Sequence, residues 1–306
     1  MPAPRIAIGP KARSFAVDAV TRGGGTVVEV DESPDALVWL DPADVAGLGA
    51  ALDAAPGAGW VQLPFAGIEP VVEAGLIDPA RRWTCAKGAY AEPVAEHALA
   101  LALAGLRGLR VRAEARSWGT SAGTSLYDRK VTILGGGGIT TSLLEQLAPF
   151  RVEATVVRRS SEPVPGATRT LTTDHLHDVL PGATVVFLAL ALSPATIGII
   201  GAEELALMDE AAWLVNVARG RHVDTDALVA ALTSGSIAGA CLDVTDPEPL
   251  PDGHPLWELP NCLITPHTAD TWDMIRPLLA ERIRINVERF SSGGELVGQV
   301  DPEAGY

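Results

Sequence analysis

Cysteines are few in this chain of 306 residues, and they form no metal-binding or disulfide pattern. Cys85, Cys241 and Cys262 stand singly in apolar surroundings, without any CxxC spacing. Structural zinc sites and disulfide scaffolds need more cysteines, or cysteines at closer spacing. The sequence therefore predicts three buried thiols in a reducing compartment and no metal centre.

Long apolar runs and basic residues are also scarce. The longest apolar stretches, such as 98–106 and 185–192, reach about half of the ~20 residues that a membrane-spanning helix needs. The first residues lack the ordered charged, apolar and small-residue sections of a signal peptide. With 23 basic and 38 acidic residues, the net charge of −15 gives no general attraction for nucleic acid or anionic membranes. We expect a soluble, cytoplasmic protein with neither kind of partner.

Strand-like and helical patterns alternate along the chain, as is typical of parallel sheets built from βαβ units. The first third contains five predicted strands, at residues 5–9, 26–30, 37–40, 60–63 and 83–86. A more regular second series contains six, at residues 131–134, 154–157, 184–189, 213–217, 238–243 and 262–265. Residues 93–118 and 270–290 are predicted to form long helices. Because a long helix stands at each end of the second series, we expect that body to be inserted into the first.

The first strand of the second series runs into a glycine-rich turn that precedes a helical segment. Glycines at positions 135 and 137 would allow a tight turn and let the backbone approach a pyrophosphate, whose charge the helix N-terminus meets. Thr140 stands where the usual fingerprint has its third glycine. A plain turn is the alternative, but the strand before and the helix after it favour dinucleotide binding. The predicted binding residues are Gly135, Gly137, Gly138 and Ile139.

The segment after the next strand indicates which dinucleotide is preferred. NAD-binding proteins often have an acidic residue about 20 positions beyond the glycine turn, where it holds the ribose 2′-hydroxyl. Here Arg158, Arg159, Ser160 and Ser161 occupy that region. Guanidinium groups and hydroxyls suit a 2′-phosphate instead. The sequence predicts NADP(H) as the preferred cofactor, with NAD(H) possible; a solvated basic turn is the alternative.

Three different polar groups follow three later strands of the second series. Arg219 comes after the fourth strand, Glu248 after the fifth and His267 after the sixth. Because carboxyl ends of parallel strands share one edge of a sheet, these side chains are expected together. Arginine can hold a carboxylate by two parallel hydrogen bonds, and a histidine beside a glutamate can serve as general acid or base for a carbonyl and alcohol pair. Singly, each could be an ordinary surface or loop residue; jointly they predict a catalytic site.

Several segments, taken in order, resemble the D-isomer-specific 2-hydroxyacid dehydrogenase family. In the second series, after the GGGGIT turn, they are VNVARG (215–220), GACLDVTDPEPLP (239–251), HPLWELPN (254–261) and ITPHTA (264–269). WVQLPFAGIE (60–69) and EPVAEHALAL (92–101) resemble the family's first-domain substrate loop and connecting helix. The resemblance covers nearly the whole chain, so it is far more specific than the glycine turn.

The resemblance implies an α/β protein of two doubly wound, parallel-sheet domains of the Rossmann and flavodoxin-like kind. We predict a substrate domain over residues 1–97 and 270–306, with a dinucleotide-binding domain over 98–269 inserted into it. A homodimer through the nucleotide domain is also implied, with the apolar helix at 94–106 as a candidate contributor.

The resemblance also assigns roles to individual residues. It implies Arg219, Glu248 and His267 as the catalytic set. Ala218 and Asp243 would lie at the cofactor, with Asp243 near the nicotinamide amide. The backbone around Ala66 and Gly67 would be a second anchor for the substrate carboxylate, beside Arg219.

Three departures from the family pattern bear on cofactor and substrate rather than on the chemistry. Thr140 replaces a glycine, Ala191 stands where a proline is usual, and the arginine pair replaces an acid. The implied reaction is hydride transfer between a nicotinamide and a small 2-keto or D-2-hydroxy acid. Glyoxylate or hydroxypyruvate is favoured as substrate, because the chain ends soon after its last helix. The alternatives are a phosphoglycerate dehydrogenase and a regulator that senses the dinucleotide without turnover.

Overall fold

Parallel strands and helices alternate in the computed structural model, which describes residues 2–301. The chain divides into two units. One contains the chain up to Tyr90 and again from Thr271 onward, and the other contains Ala91–Asp270. The second unit therefore interrupts the first in the sequence.

The first unit contains a five-stranded parallel sheet. Its strands are β1 (Arg5–Gly9), β2 (Thr26–Val28), β3 (Ala36–Trp39), β4 (Trp60–Gln62) and β5 (Arg82–Thr84), in the order β2-β1-β3-β4-β5. β3 and β4 are buried along their whole length, as expected for strands covered on both faces.

The second unit contains a seven-stranded parallel sheet. Its strands are β6 (Lys130–Leu134), β7 (Glu153–Arg158), β8 (Arg169–Thr172), β9 (Val185–Leu188), β10 (Trp213–Asn216), β11 (Gly239–Leu242) and β12 (Cys262–Ile264). The order is β12-β11-β10-β9-β6-β7-β8, so the direction of winding reverses between β6 and β9. Ligands of such sheets bind beyond the carboxyl ends of the strands at this switch point.

The described residues form eleven α-helices, of which the first three and the last belong to the first unit. They are α1 (Ser14–Arg22), α2 (Val45–Ala54), α3 (Glu69–Glu73), α4 (Ala91–Leu106), α5 (Leu109–Glu114), α6 (Gly138–Leu147), α7 (Leu176–Val179), α8 (Ala202–Leu207), α9 (Thr225–Ser234), α10 (Pro255–Glu258) and α11 (Trp272–Ser292). No helix among residues 2–301 combines the length and the apolar character needed to cross a bilayer.

The predicted fold class, two parallel-sheet α/β bodies, is confirmed, but two elements differ from the sequence expectation. The helix expected over 93–118 ends at Leu106, because Gly108 adopts a left-handed φ of +58° and a separate short helix follows. β8 was not predicted, since its residues are polar and only partly buried at the sheet edge. The apolar pattern of buried strands is absent there.

All three cysteines are buried and free. Burial raises the pKa of Cys85, and it raises the pKa values of Cys241 and Cys262 to about 12. A thiol whose pKa lies so far above neutrality is a poor nucleophile. The cysteines therefore act as small apolar residues of the core.

Trp213 of β10 shows how closely α4 packs on the second sheet. A Cβ added at Gly105 of α4 would collide with one part of the Trp213 ring, and a Cβ added at Gly239 of β11 would collide with another. The indole thus lies between two glycines, neither of which leaves space for a methyl group. Helix α4 needs a glycine here for packing, although glycine is a poor helix former.

Gly105→Ala is expected to lower the free energy of unfolding by about 1–3 kcal/mol, the cost of overpacking a core. Helix propensity alone predicts the opposite sign, a gain of up to ~1 kcal/mol. Gly49→Ala in α2 is the matched control, because a Cβ there would meet only Leu76, at an ordinary 3.5 Å. Urea unfolding should show Gly49→Ala unchanged or stabilised. If Gly105→Ala stabilises equally, the packing argument is wrong.

Candidate active site

The glycine turn after β6 has the shape that a bound pyrophosphate needs. Gly135 has a φ of +111°, and a Cβ there would collide with the Ala189 carbonyl oxygen after β9. Gly137 is the N-cap of α6, and no atom lies within 4 Å of the place where its Cβ would be. Gly138 and Ile139 form the first turn of α6, with no side-chain cap on its N–H groups. The turn therefore presents backbone donors to an open side.

Thr140 takes the place of the third glycine without disturbing this turn. Its side chain is buried, and its hydroxyl donates a hydrogen bond of 2.9 Å to the Gly135 carbonyl oxygen. The hydroxyl thereby ties the first turn of α6 to the end of β6. The departure from the fingerprint is compensated by a local hydrogen bond.

Arg158 at the end of β7 and the residues that follow it fit a phosphorylated ribose next to this turn. The Arg158 side chain lies against Gly136, since a Cβ on that glycine would sit 2.7 Å from the arginine Cδ. Ser160 Oγ is buried and has no hydrogen-bond partner among the described residues. Unpaired buried hydroxyls are rare in folded proteins and call for an explanation. Arg159 is exposed beside them. A guanidinium and an unsatisfied hydroxyl are donors that a phosphate would accept from.

Arg219 leaves the carboxyl end of β10 in a tightly constrained turn. Asn216 fixes the turn, because its side chain accepts from the Ala218 N–H at 3.0 Å and donates to the Arg219 carbonyl oxygen at 2.9 Å. The Arg219 guanidinium donates to the Ala218 carbonyl oxygen at 2.8 Å. A Cβ at Gly220 would collide with the Thr245 backbone. The arginine turn and the loop after β11 therefore lie in close contact.

Glu248 and His267 form a hydrogen-bonded pair at the same edge of the sheet. Glu248 Oε1 lies 2.6 Å from His267 Nδ1. This bond is the main reason that the pKa of His267 lies above its usual 6.5 and that the pKa of Glu248 lies below its usual range. Burial and the charge of Arg219 oppose the rise for His267. With Nδ1 bonded to Glu248, Nε2 is the ring nitrogen left to exchange a proton with a ligand.

The backbone of His267 is held in an unusual conformation. Its φ of +49° is uncommon for a residue other than glycine, and such residues cluster at functional sites. The His267 N–H donates to the carbonyl oxygens of Asp243, at 2.8 Å, and Thr265, at 3.0 Å. These bonds hold the turn that orients the ring.

Asp243 is a buried carboxylate surrounded by donors. Its Oδ1 accepts from Thr265 Oγ1 at 2.6 Å and from the Thr268 N–H at 2.9 Å, and its Oδ2 accepts from the Ala269 N–H at 3.1 Å. Burial alone would raise the pKa of Asp243, but hydrogen bonds from these groups and from His97 lower it to about 2. The side chain is ionised at neutral pH. Its predicted place near a nicotinamide amide stays a prediction.

The structure brings most predicted site residues to the carboxyl edge of the second sheet. The glycine turn, the arginine segment and the three polar groups all lie there, after β6, β7, β10, β11 and β12. Ala66 and Gly67 belong to the first unit, in the loop after β4, where Ala66 is exposed. The Tyr90 hydroxyl donates to the Pro64 carbonyl oxygen and anchors that loop. The role of Ala66 and Gly67 in binding a carboxylate stays a prediction.

Sequence reasoning missed two ionisable groups that lie near Asp243. Asp270 lies close enough for His267 and Asp243 to influence it, and burial raises its pKa. His97 of α4, which the sequence does not mark as a site residue, places its ring Nε2 3.2 Å from Asp243 Oδ1. Only the packing of α4 on β11 makes that contact evident. No feature of the local sequence predicts it.

Comparisons with known proteins agree with this geometry. A family model described as the NAD binding domain of D-isomer specific 2-hydroxyacid dehydrogenases matches residues 97–269. An uncharacterized protein in the proB 3′ region of Corynebacterium melassecola is 46% identical over 253 residues, which cover 81% of this chain and 83% of that protein.

Two solved structures share the fold over almost the whole chain. A D-isomer specific 2-hydroxyacid dehydrogenase from Xanthobacter autotrophicus Py2, in complex with NADPH and MES, is 27% identical with a TM-score of 0.85, covering 99% of this chain and 100% of that one. An NADPH-dependent glyoxylate/hydroxypyruvate reductase from Sinorhizobium meliloti, in complex with NADP and sulfate, is 23% identical with a TM-score of 0.80 and the same coverage; at that identity it shows the fold alone. With the family model matching more than half of its residues, this chain belongs to the D-isomer specific 2-hydroxyacid dehydrogenase family.

Proposed function

We propose that this protein reduces a small 2-keto acid to the D-2-hydroxy acid with NADPH, or catalyses the reverse oxidation. The observation that carries the proposal is the 2.6 Å hydrogen bond between His267 and Glu248, with Arg219 close enough to influence the pKa values of both. A general acid beside a cation is the arrangement that a keto-acid reductase needs. Membership of the family supports the reaction class.

Each residue of this set has a distinct task. Arg219 binds the keto acid and polarises its carbonyl group by hydrogen bonds from the guanidinium. Glu248 keeps the His267 ring protonated by accepting from Nδ1. The nicotinamide, when bound, supplies the hydride that C2 of the keto acid receives. His267 donates its Nε2 proton to the carbonyl oxygen, so that C2 gains a C–H bond and the oxygen becomes a hydroxyl.

NADP(H) is the preferred cofactor in this proposal. The backbone turn at Gly135, Gly137 and Gly138 would hold the pyrophosphate. The 2′-phosphate would accept hydrogen bonds from Arg158 and Ser160, with Arg159 adding charge, and it would satisfy the unpaired Ser160 hydroxyl. NAD(H) lacks that phosphate and would leave the hydroxyl without a partner.

The substrate and the assembly are the less constrained parts of the proposal. The Sinorhizobium reductase is named for glyoxylate and hydroxypyruvate, which makes these the first keto acids to test. The complete Arg219, Glu248 and His267 set disfavours a regulator without turnover. A homodimer is also proposed. Most apolar residues of α4 are already buried in the single chain, so the exposed Leu109, Val111 and Trp118 are better candidates for a contact. Light scattering should then give twice the mass of one chain.

The proposal is tested by NADPH oxidation, followed at 340 nm with a panel of 2-keto acids. His267→Gln should lower kcat by ~10²–10⁴, the usual loss when a general acid is removed. His175→Gln is the control, because His175 pairs with Asp178 on the surface and takes no part in the site. An active native enzyme whose rate is unchanged by His267→Gln would remove His267 from the mechanism. A native protein that turns over no 2-keto acid would refute the proposed function.

Cofactor preference is tested by Arg158→Gln. The dissociation constant for NADPH should rise at least ~10-fold, which corresponds to the loss of one charge-assisted hydrogen bond of about 1.5–3 kcal/mol. The dissociation constant for NADH should change by less than about twofold. Arg151→Gln is the matched control, since Arg151 pairs with Asp128 on the surface of the same unit. Equal weakening of both cofactors by Arg158→Gln would show that this arginine does not recognise the 2′-phosphate.

A further inference from the structure

His97 of helix α4 contacts the two residues that shape the His267 turn. Its Nε2 lies 3.0 Å from Thr265 Oγ1 and 3.2 Å from Asp243 Oδ1, and its side chain is 21% exposed. Neither proton transfer nor substrate binding, as proposed above, uses this histidine. Its ring nevertheless approaches Asp243, the buried carboxylate that accepts hydrogen bonds from the 265–269 segment.

The hydrogen positions in this cluster follow from simple counting. The Asp243 carboxylate is ionised and can only accept, so the single hydrogen of the Thr265 hydroxyl points to Asp243 Oδ1. The hydroxyl oxygen must then accept from His97. The ring therefore carries its hydrogen on Nε2, and that N–H lies within reach of both oxygens.

This arrangement closes a network that reaches the catalytic turn. Thr265 follows β12 and Asp243 follows β11. The Thr268, Ala269 and His267 N–H groups all donate to Asp243. Apart from the His97 donor, every donor to this aspartate side chain within residues 2–301 comes from the 265–269 segment. Helix α4 supplies the contact that joins the segment to a different element.

Loss of the His97 donor would leave the Thr265 hydroxyl short of a partner and the buried carboxylate less compensated. A residue held at a positive φ relaxes when its supports weaken, because that conformation persists only where the surroundings impose it. The His267 ring would then leave its 2.6 Å contact with Glu248 more often. A displacement of about 1 Å at a reacting group can reduce a rate by as much as ~10²-fold.

We propose that His97 is a positioning residue for His267, acting through Asp243 and Thr265. The expected effect on kcat rests on the function proposed above. The expected effect on the position of the His267 ring does not. Helix α4 thereby links the nucleotide-domain core to the proton donor. Substrate and cofactor need not touch His97 for it to matter.

Three variants test this role. His97→Leu fills the space with an apolar side chain and removes the donor. His97→Gln keeps an N–H donor at similar reach. Glu96→Gln changes the exposed neighbour on the same helix. We expect His97→Leu to lower kcat about tenfold, with KM for the keto acid changed less than about threefold. His97→Gln should recover most of the rate, and Glu96→Gln should match the native enzyme. A purely structural role would lower the melting temperature and would not be rescued by glutamine.

A second measurement needs no activity. The pKa of the His267 ring is measured by NMR in the protein without cofactor or substrate, where Glu248, Arg219, Asp243 and Asp270 are its charged neighbours. In His97→Leu this pKa should fall toward 6.5, and in His97→Gln it should stay near the native value. An unchanged His267 pKa and kcat in His97→Leu would overturn the positioning role. If the native protein is inactive on every keto acid, the proposed function is refuted but the positioning role is not. The NMR result still decides the role of His97.

Discussion

A buried, ionised carboxylate is the constraint on which the proposed active-site edge of the second sheet depends. Moving Asp243 out of water is costly unless donors replace the water, and here a hydroxyl, a ring N–H and two backbone N–H groups do so. Because these donors come from α4 and from the segment after β12, satisfying one charge fixes the relative positions of both. The His267 turn is a consequence of that arrangement.

The acidic balance of the chain does not describe this edge. The net charge of the chain is −15, yet this edge carries Arg158 beside the glycine turn and Arg219 near His267. Backbone N–H groups at the start of α6 add partial positive charge. The proposed anion binding is therefore local, through a few cations and oriented amides, in a chain whose net charge is negative.

The strand ends were predictable because of the geometry of parallel sheets. Their carboxyl ends must share one edge, so the positions of Arg219, Glu248 and His267 after consecutive strands were sufficient to place them together. The paired His267 and Glu248 bear this out at 2.6 Å. The glycine turn was also predictable, because glycines between a strand and a helix are typical of a tight turn.

Contacts between distant segments could not be predicted in the same way. His97 precedes Asp243 by more than one hundred residues, and only the packing of α4 against β11 joins them. The hydrogen bond that compensates Thr140 and the unpaired hydroxyl of Ser160 also depend on side-chain placement rather than on spacing. The helix break at Gly108 depends on one backbone dihedral angle. The sequence does not reveal it, because the apolar pattern continues on both sides of this glycine.

Glu248 is proposed to keep His267 protonated so that His267 can serve as the acid in reduction. The most direct test is the pH dependence of kcat/KM for 2-keto acid reduction by the native enzyme and Glu248→Gln. Since reduction needs the imidazolium, the rate should fall as pH rises through the His267 pKa, which lies above 6.5 in the native protein. In Glu248→Gln the fall should begin at lower pH. If both enzymes lose activity over the same pH range, the carboxylate does not set the protonation of His267, and the account is contradicted.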